Sequence, residues 1–148
     1  MNHCRKLYIA NRHQGVVTVE FTLIATIFFL ALFSIIGIAR VLYIYNATVN
    51  ATRVGARLAV VCDLAAAANI QTKMAAKVPG LNTSNINLTY NPSGCSVSTC
   101  TSVTASISNF TVAIATPASF PLGSFTVPGF STTLVRESMN STNNSVCS

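Results

Sequence analysis

Residues 16–39 read VVTVEFTLIATIFFLALFSIIGIA, and this apolar stretch decides how the rest of the chain is organised. Its uncharged part, from Phe21 to Ala39, is close to the ~20 residues that a helix needs to cross the hydrocarbon of a bilayer. Because backbone groups in lipid must bond to one another, we expect a helix despite the many β-branched residues. The stretch therefore predicts a transmembrane helix over residues 16–40.

A cleaved secretory signal is the competing interpretation of this stretch. Such a signal has an apolar core of about 7–15 residues that ends at a small-x-small cleavage site. Gly37-Ile38-Ala39 resembles such a site, but the apolar core here is longer. The length favours an anchor that stays with the protein.

Residues 1–15, MNHCRKLYIANRHQG, precede the apolar stretch and have a different composition. They contain Arg5, Lys6 and Arg12 and no acidic residue, which is typical of a basic leader peptide. Removing them takes away three of the nine basic residues and none of the three acidic ones, so the net charge falls from +6 to +3.

After Arg40 the pattern becomes amphipathic without a turn signal. Apolar residues recur at the helical spacing of three and four, at Val41, Ile44, Ala47, Ala51, Val54, Leu58, Val61, Ala65 and Ala68. The first strong stop signal is Pro79-Gly80. The pattern predicts one helix from about residue 14 to about 77, with its outer part over 41–78. Gly37, Gly55 and the Asn/Thr-rich stretch from Asn46 to Thr52 are the expected places for a bend or a looser turn.

Residues 81–148 are rich in Ser, Thr, Asn, Val and Phe, with turn residues at intervals. Three runs have the composition of strands: 85–90, 103–114 with a break near Ser108-Asn109, and 130–139. Prolines and glycines divide residues 117–129 into loop and short extended pieces. We predict an α+β fold, in which a small antiparallel sheet over 81–148 packs on the outer half of the helix to form an exported domain, 41–148.

The scarcity of charged residues argues against several functions. The acidic residues are Glu20, Asp63 and Glu137, and both histidines, His3 and His13, lie in the leader. A Ser-His-Asp arrangement is therefore not available after residue 15, and we predict no enzymatic activity, no cofactor and no small-molecule substrate. The basic residues form no dense run, which argues against nucleic acid as a partner.

Of the five cysteines, Cys4 lies in the leader, which leaves Cys62, Cys95, Cys100 and Cys147. An even number in an exported segment predicts disulfides, and four cysteines allow three pairings. The short spacing of Cys95 and Cys100 favours a local staple, which leaves Cys62 to reach Cys147. A zinc site would need C-x-x-C pairs or nearby histidines, so we predict no metal.

Glu20 is the one charged residue inside the apolar stretch. A carboxylate in a bilayer is costly unless it is paired or near the headgroups, which makes Glu20 a functional candidate. The competing interpretation is an ordinary acid at the start of a helix, where the helix dipole favours negative charge. Position alone does not decide between the two.

The neighbours of Glu20 favour the functional interpretation. The run Gln14-Gly15-Val16-Val17-Thr18-Val19-Glu20-Phe21 follows a basic leader and resembles the processing site of type IV prepilins. With Asn50-Ala-Thr-Arg-Val-Gly-Ala-Arg57 and the pair Arg136-Glu137, the chain is similar to the TadE-like minor pilins, or pseudopilins, of tight-adherence (Flp-type) type IV pilus systems. Phe21 stands where major Flp pilins usually have tyrosine, and the chain is far longer than a major Flp pilin, which favours the minor class.

The resemblance implies that a prepilin peptidase cuts after Gly15, so that Val16 becomes the first mature residue, Glu20 the fifth and Phe21 the sixth. It also implies that Glu20 and Phe21 serve subunit assembly. Glu20 would neutralise the Val16 amine of a neighbouring subunit, which offsets the cost of burying either charge alone in a helical bundle.

The partners implied by the resemblance are the membrane, the prepilin peptidase, other pilins and inner-membrane pilus assembly proteins. The implied location is the inner (cytoplasmic) membrane, crossed once, with the C-terminal domain on the periplasmic side and with incorporation into a pilus that attaches to surfaces. The alternative function is an uncleaved single-span envelope protein whose exported domain binds another secretion or pilus component.

Overall fold

The computed structural model describes the backbone of residues 11–115 and 121–147 and the side chains of 15–113 and 123–147. Residues 1–10, most of the predicted leader and its Cys4, lie outside the described residues. The elements are α1 (Asn11–Val61), α2 (Ala67–Ala75), β1 (Ile86–Asn91), β2 (Ser102–Ile107), β3 (Phe110–Ala115), β4 (Pro121–Val127) and β5 (Phe130–Val135), with 3-10 turns at Leu64–Ala66 and Thr83–Asn85. The predicted α+β class is confirmed, and the chain divides into two compact units, residues 1–39 and 40–148.

The part of α1 that lies in the first unit is exposed and apolar. An 18-residue window of this helix has a mean hydropathy of 2.6, with none of it buried. Hydroxyl side chains here donate to carbonyls of the helix itself at 2.7–2.8 Å: Thr22 to Val19, Thr26 to Thr22 and Ser34 to Leu30. These polar groups are satisfied without water, and the helix is long and apolar enough to cross a membrane.

In the second unit, α1 buries a face made mostly of small residues. The buried positions follow at helical spacing: Ile44, Thr48, Ala51, Thr52, Gly55, Ala56, Ala59 and Val60. Of the predicted apolar stripe, Ile44 and Ala51 are buried, while Ala65 and Ala68 are exposed. The prediction counted apolar residues alone and so missed Thr48, whose hydroxyl is satisfied inside the core because it donates to Ile44 O at 2.8 Å.

The helix α1 ends at Val61, so the predicted continuous helix over 41–78 is wrong at this point. Asp63 is extended (φ −60°, ψ 158°), and its N–H donates to Ser141 Oγ at 2.8 Å instead of to a helix carbonyl. The last carbonyls of α1 accept from the C-terminal segment: Glu137 and Met139 N–H donate to Val60 O at 3.2 Å, and Asn140 N–H donates to Val61 O at 2.7 Å. Residues far along the chain therefore bond to the last two carbonyls of α1, which belong to the group of four that lack helical partners at a helix end.

The strands form two small sheets, where the sequence predicted one. β1, β2 and β5 make an antiparallel sheet in the order β1-β2-β5, and β3 and β4 make an antiparallel pair. The break predicted near Ser108-Asn109 is present, and Asn109 takes a φ of 55°, which asparagine tolerates better than most residues. β5 ends at Val135 and not at 139, because the N–H groups of Glu137 and Met139 turn to α1.

The three-stranded sheet packs its inner side on the small-residue face of α1, as predicted. β2 leaves its Ser and Thr side chains half-buried and buries Val103, Ala105 and Ile107. These join Ile70 and Met74 of α2 and the buried face of α1 in one core. No charged residue occurs from Leu81 to Val135, so the outward positions of the strands are filled mainly by Ser, Thr and Asn.

Two disulfides lie in the second unit. Cys62, the first residue after α1, is bonded to Cys147, and their Cα atoms are 5.5 Å apart. Cys95 is bonded to Cys100 in the loop between β1 and β2, with Cα atoms 5.0 Å apart. These are the two pairs that the spacing favoured. The first bond ties the C-terminal segment to α1 beside the carbonyls that this segment satisfies.

Candidate functional site

The segment from Gly15 to Phe21 lies inside α1 with its side chains exposed. Val16, Val17 and Val19 are each 65% exposed, and Phe21 is 69% exposed. Glu20 is exposed as well. Because water solvates large apolar side chains poorly, a surface of this kind suits lipid or another protein.

Gly15 has no packing role among the residues that the structure describes. A Cβ at this position would meet no atom within 4 Å. Glycine inside a helix costs about 1 kcal/mol relative to alanine, so the fold itself does not favour it. The position is the one where the sequence predicts peptidase cleavage, and a residue without Cβ allows a close approach to the backbone.

Val16 and Glu20 lie on the same face of α1, because residues four apart in a helix are neighbours one turn apart. Glu20 is the sole charged residue from Gly15 to Ala39. Phe21 lies about 100° further round the helix and so faces a different neighbour. The helix therefore brings the predicted cleavage point and the predicted assembly carboxylate to one face.

The comparison with protein families singles out this part of the chain. Residues 15–57 match the TadE-like protein family. The match begins at Gly15 and ends at Arg57, and so contains both the predicted processing segment and the run from Asn50 to Arg57. The predicted resemblance to a TadE-like protein of a tight-adherence pilus system is confirmed over these residues. Neither a curated protein nor a solved structure matches the chain.

The second part of the TadE-like match serves the fold. Its small residues are buried, namely Ala51, Thr52, Gly55 and Ala56. Its two arginines, Arg53 and Arg57, are exposed. A Cβ on Gly55 would overlap Met74 Sδ and lie 2.9 Å from Met74 Cγ. Because Met74 is fully buried, glycine is what allows α2 to approach α1 so closely. Sequence reasoning named Gly55 only as a place for a bend and missed this packing role.

The sheet contacts the same face of α1. Thr132 Oγ1 donates to Thr52 Oγ1 at 3.3 Å, and the rings of Tyr45 and Phe130 meet edge to face at 4.9 Å. Sequence reasoning missed the threonines on this face because a count of apolar residues leaves them out. The signal that would have shown them is the recurrence of small residues at helical spacing from position 48 to 59.

The pair Arg136-Glu137 follows β5 directly and does not lie within it. Arg136 Nη1 donates to Val97 O at 2.8 Å, inside the loop closed by the Cys95–Cys100 disulfide. The Glu137 N–H donates to Val60 O near the end of α1. The pair thus connects the stapled loop to the helix end, which is a structural role.

The part of the chain that the structure describes holds no cluster of three or more His, Cys, Asp or Glu side chains suited to a metal ion. Its one buried side-chain oxygen or nitrogen without a hydrogen-bond partner is the Tyr90 hydroxyl. Desolvation by burial raises the pKa of Tyr90 above its ordinary value. This group lies on β1, away from the Gly15–Phe21 segment in the chain.

Proposed function

We propose that this chain is a minor pilin, or pseudopilin, that takes part in assembling a tight-adherence (Flp) pilus for surface attachment. The observation that carries the proposal is the TadE-like match, which begins at Gly15 on a helix long and apolar enough to cross a membrane. In this proposal a prepilin peptidase cuts after Gly15, and the mature chain is a structural subunit with no enzymatic activity.

The proposed cleavage creates a partner for the Glu20 carboxylate. It creates a new α-amine on Val16, one helical turn from Glu20 on the same face of α1. When two such helices pack in parallel with a stagger of about one turn, Glu20 of one subunit reaches the Val16 amine of the next. Pairing offsets the desolvation cost of both charges, and a mispaired register leaves both charges buried without a partner.

The exposed apolar side chains around Glu20 suit both stages of the proposed process. Before assembly, Val17, Val19 and Phe21 are solvated by lipid, which accepts apolar surface at no cost. In the pilus, the same side chains pack against neighbouring helices. The subunit therefore moves from membrane to filament without exposing this surface to water.

The two disulfides support the proposed location of the second unit. Disulfides form and persist in oxidising compartments such as the periplasm, and are rare in the cytosol. With residues 40–148 on the periplasmic side, Arg5, Lys6 and Arg12 lie on the cytoplasmic side; Arg40, Arg53 and Arg57 balance them in the positive-inside count, so the disulfides and the TadE-like match carry the proposed orientation. The partners are then the inner membrane, the peptidase, other pilins and the pilus assembly proteins of that membrane.

Replacing Glu20 with Ala tests the proposal. In a strain that lacks the native gene, Glu20→Ala is expected to leave the mass of the processed subunit otherwise unchanged and to reduce both pilus formation and co-purification with other pilins. Glu137→Ala is the matched control, because it removes the same charge from an exposed position of the second unit. Its pilus yield should equal that of the wild type.

The result that would overturn the proposal is normal pilus formation and normal co-purification by Glu20→Ala. An uncleaved chain that still binds an envelope component would favour the alternative, a single-span protein whose second unit is a docking module. That protein would keep its leader, and Glu20 would have no Val16 amine to pair with.

A further inference from the structure

Both acidic residues of the second unit, residues 40–148, lie near the C-terminal end of α1. They are Asp63, directly after α1, and Glu137, whose N–H donates to Val60 O. Val60 is seventeen residues along α1 from Tyr43, or about 25 Å at the helical rise. No acidic residue therefore lies near the beginning of this unit, where Arg40 is the first charge after the apolar stretch.

The side chain of Lys77 lies beside the first turns of α1 in the second unit. A surface cavity of about 490 Å³ is lined by Tyr43, Asn46, Ala47, Asn50 and Lys77. Lys77 is exposed, but the turn that carries it is fixed, since the adjacent Val78 is only 1% exposed and belongs to the core. The fold thus holds an ammonium group beside a phenol and two amides, all of which can donate hydrogen bonds.

Large apolar side chains are exposed at the N-terminal end of the second unit, where contact with water is unfavourable. Leu42 is 55% exposed and Tyr43 is 62% exposed. Tyrosine beside a membrane span is typical of the layer where headgroups meet water, because one end of its ring is apolar and the other polar. The headgroup layer is about 5–8 Å thick on each side of the hydrocarbon. Along α1, Tyr43 lies about 5 Å beyond Arg40 and so inside this layer, Asn46 lies at its outer edge at about 9 Å, and Asn50 lies outside it at about 15 Å.

From this placement we propose that Tyr43, Asn46 and Lys77 of this cavity bind the phosphate of an anionic phospholipid headgroup in the membrane leaflet next to the second unit. Lys77 supplies the charge, and the phenol of Tyr43 and the amide of Asn46 donate to the phosphate oxygens. The site would fix the height and rotation of the second unit at the membrane surface before assembly. The inference requires that α1 spans a membrane, but it does not require a pilus.

The test is a titration of the full ¹⁵N-labelled chain, in a phosphate-free maltoside detergent, with dihexanoyl-phosphatidylglycerol. We expect saturable amide shifts confined to the residues around Tyr43, Asn46 and Lys77. Lys77→Gln should weaken the apparent affinity about fivefold, which corresponds to the ~1 kcal/mol that one basic residue contributes near an anionic surface. Arg53→Gln is the control, since Arg53 is exposed on α1 and does not line the cavity.

Three results would overturn the proposal. The shifts could fail to saturate or extend evenly along α1, which is general partitioning into the micelle. Lys77→Gln could bind the lipid as tightly as Arg53→Gln does, which would show that the Lys77 ammonium does not take part in binding. Inorganic phosphate at the same concentration could produce the same shifts with equal affinity, which makes the ligand a soluble anion and not a lipid. Because none of these depends on Glu20 or on cleavage, they leave the proposed pilin function standing.

Discussion

Gly55 of α1 and Met74 of α2 pack so closely that any Cβ at position 55 would overlap the methionine sulfur. The contact lies inside the TadE-like match and in the core of the second unit. The matched segment therefore contains two sets of residues with different roles on one helix. Its beginning holds the predicted cleavage and assembly residues, and its end provides the close-packed face on which α2 and the sheet fold.

Gly55→Ala is expected to destabilise the second unit despite the better helix propensity of alanine. Overpacking a core costs about 1–3 kcal/mol, while replacing glycine in a helix gains about 1 kcal/mol. The measurement is the denaturant midpoint of the full chain in detergent, followed by the near-ultraviolet circular dichroism of its tyrosines. A midpoint equal to or above that of the wild type would contradict the packing account.

Gly37→Ala is the matched control for this substitution, because a Cβ at Gly37 meets nothing within 4 Å. Its midpoint should not fall. The double variant Gly55→Ala/Met74→Ala should lose less stability than the sum of its single variants, because the smaller side chain makes room for the new methyl group. Strict additivity would show that Gly55 acts through something other than Met74.

The two disulfides should differ in their contribution to stability. Cys62–Cys147 closes a sequence separation of 85 residues and Cys95–Cys100 one of 5. By chain entropy alone, the loss of the first costs about 4–5 kcal/mol and the loss of the second about 2 kcal/mol. We expect Cys62→Ala/Cys147→Ala to unfold at a clearly lower denaturant concentration than Cys95→Ala/Cys100→Ala, and equal midpoints would argue against the helix-end anchor described above.

Tyr90 should make the second unit less stable at high pH. Burial raises its pKa in the folded state, so above its ordinary pKa of 10.0 the unfolded chain releases the phenol proton while the folded chain keeps it. Stability from this group is complete below pH 10 and falls as the pH rises toward the folded pKa. Denaturant midpoints of the wild type at pH 8 and pH 10.5 should show this fall, and Tyr90→Phe should reduce it.

Tyr90→Phe should also raise the stability at neutral pH by about 1 kcal/mol, because it removes a buried hydroxyl without a partner among the described residues. A variant that is less stable at pH 8 would show that the hydroxyl has a hydrogen-bond partner, such as water. If the denaturant midpoint of Tyr90→Phe falls between pH 8 and pH 10.5 as much as that of the wild type, another group causes the pH dependence.

The sequence predicted the fold wherever a local pattern determines the structure. The apolar run after Gly15 predicted the helix, and the Cys spacing favoured both disulfide pairs. The dipeptide Ser108-Asn109 predicted the break between β2 and β3, because asparagine is among the few residues that accept a positive φ.

The sequence did not predict the features that depend on contacts between distant residues. α1 ends at Val61, where the N–H groups of Glu137, Met139 and Asn140 donate to the carbonyls of Val60 and Val61, and nothing in the sequence around Val61 shows these contacts. The packing role of Gly55 was missed because its partner, Met74, is nineteen residues away. The spatial relation between Val16 and Glu20 needs no such distant contact, because residues four apart lie on one face of a helix, and it follows from their spacing alone.

The most direct test of the account is the N-terminal sequence and intact mass of the protein from its native membrane. We expect a first residue of Val16, with the mass of residues 16–148 and two disulfides. A first residue of Met1 would contradict cleavage after Gly15 and leave Glu20 without its proposed partner. A first residue of Arg40 would show that the apolar stretch is a removed signal, and that the second unit is released from the membrane.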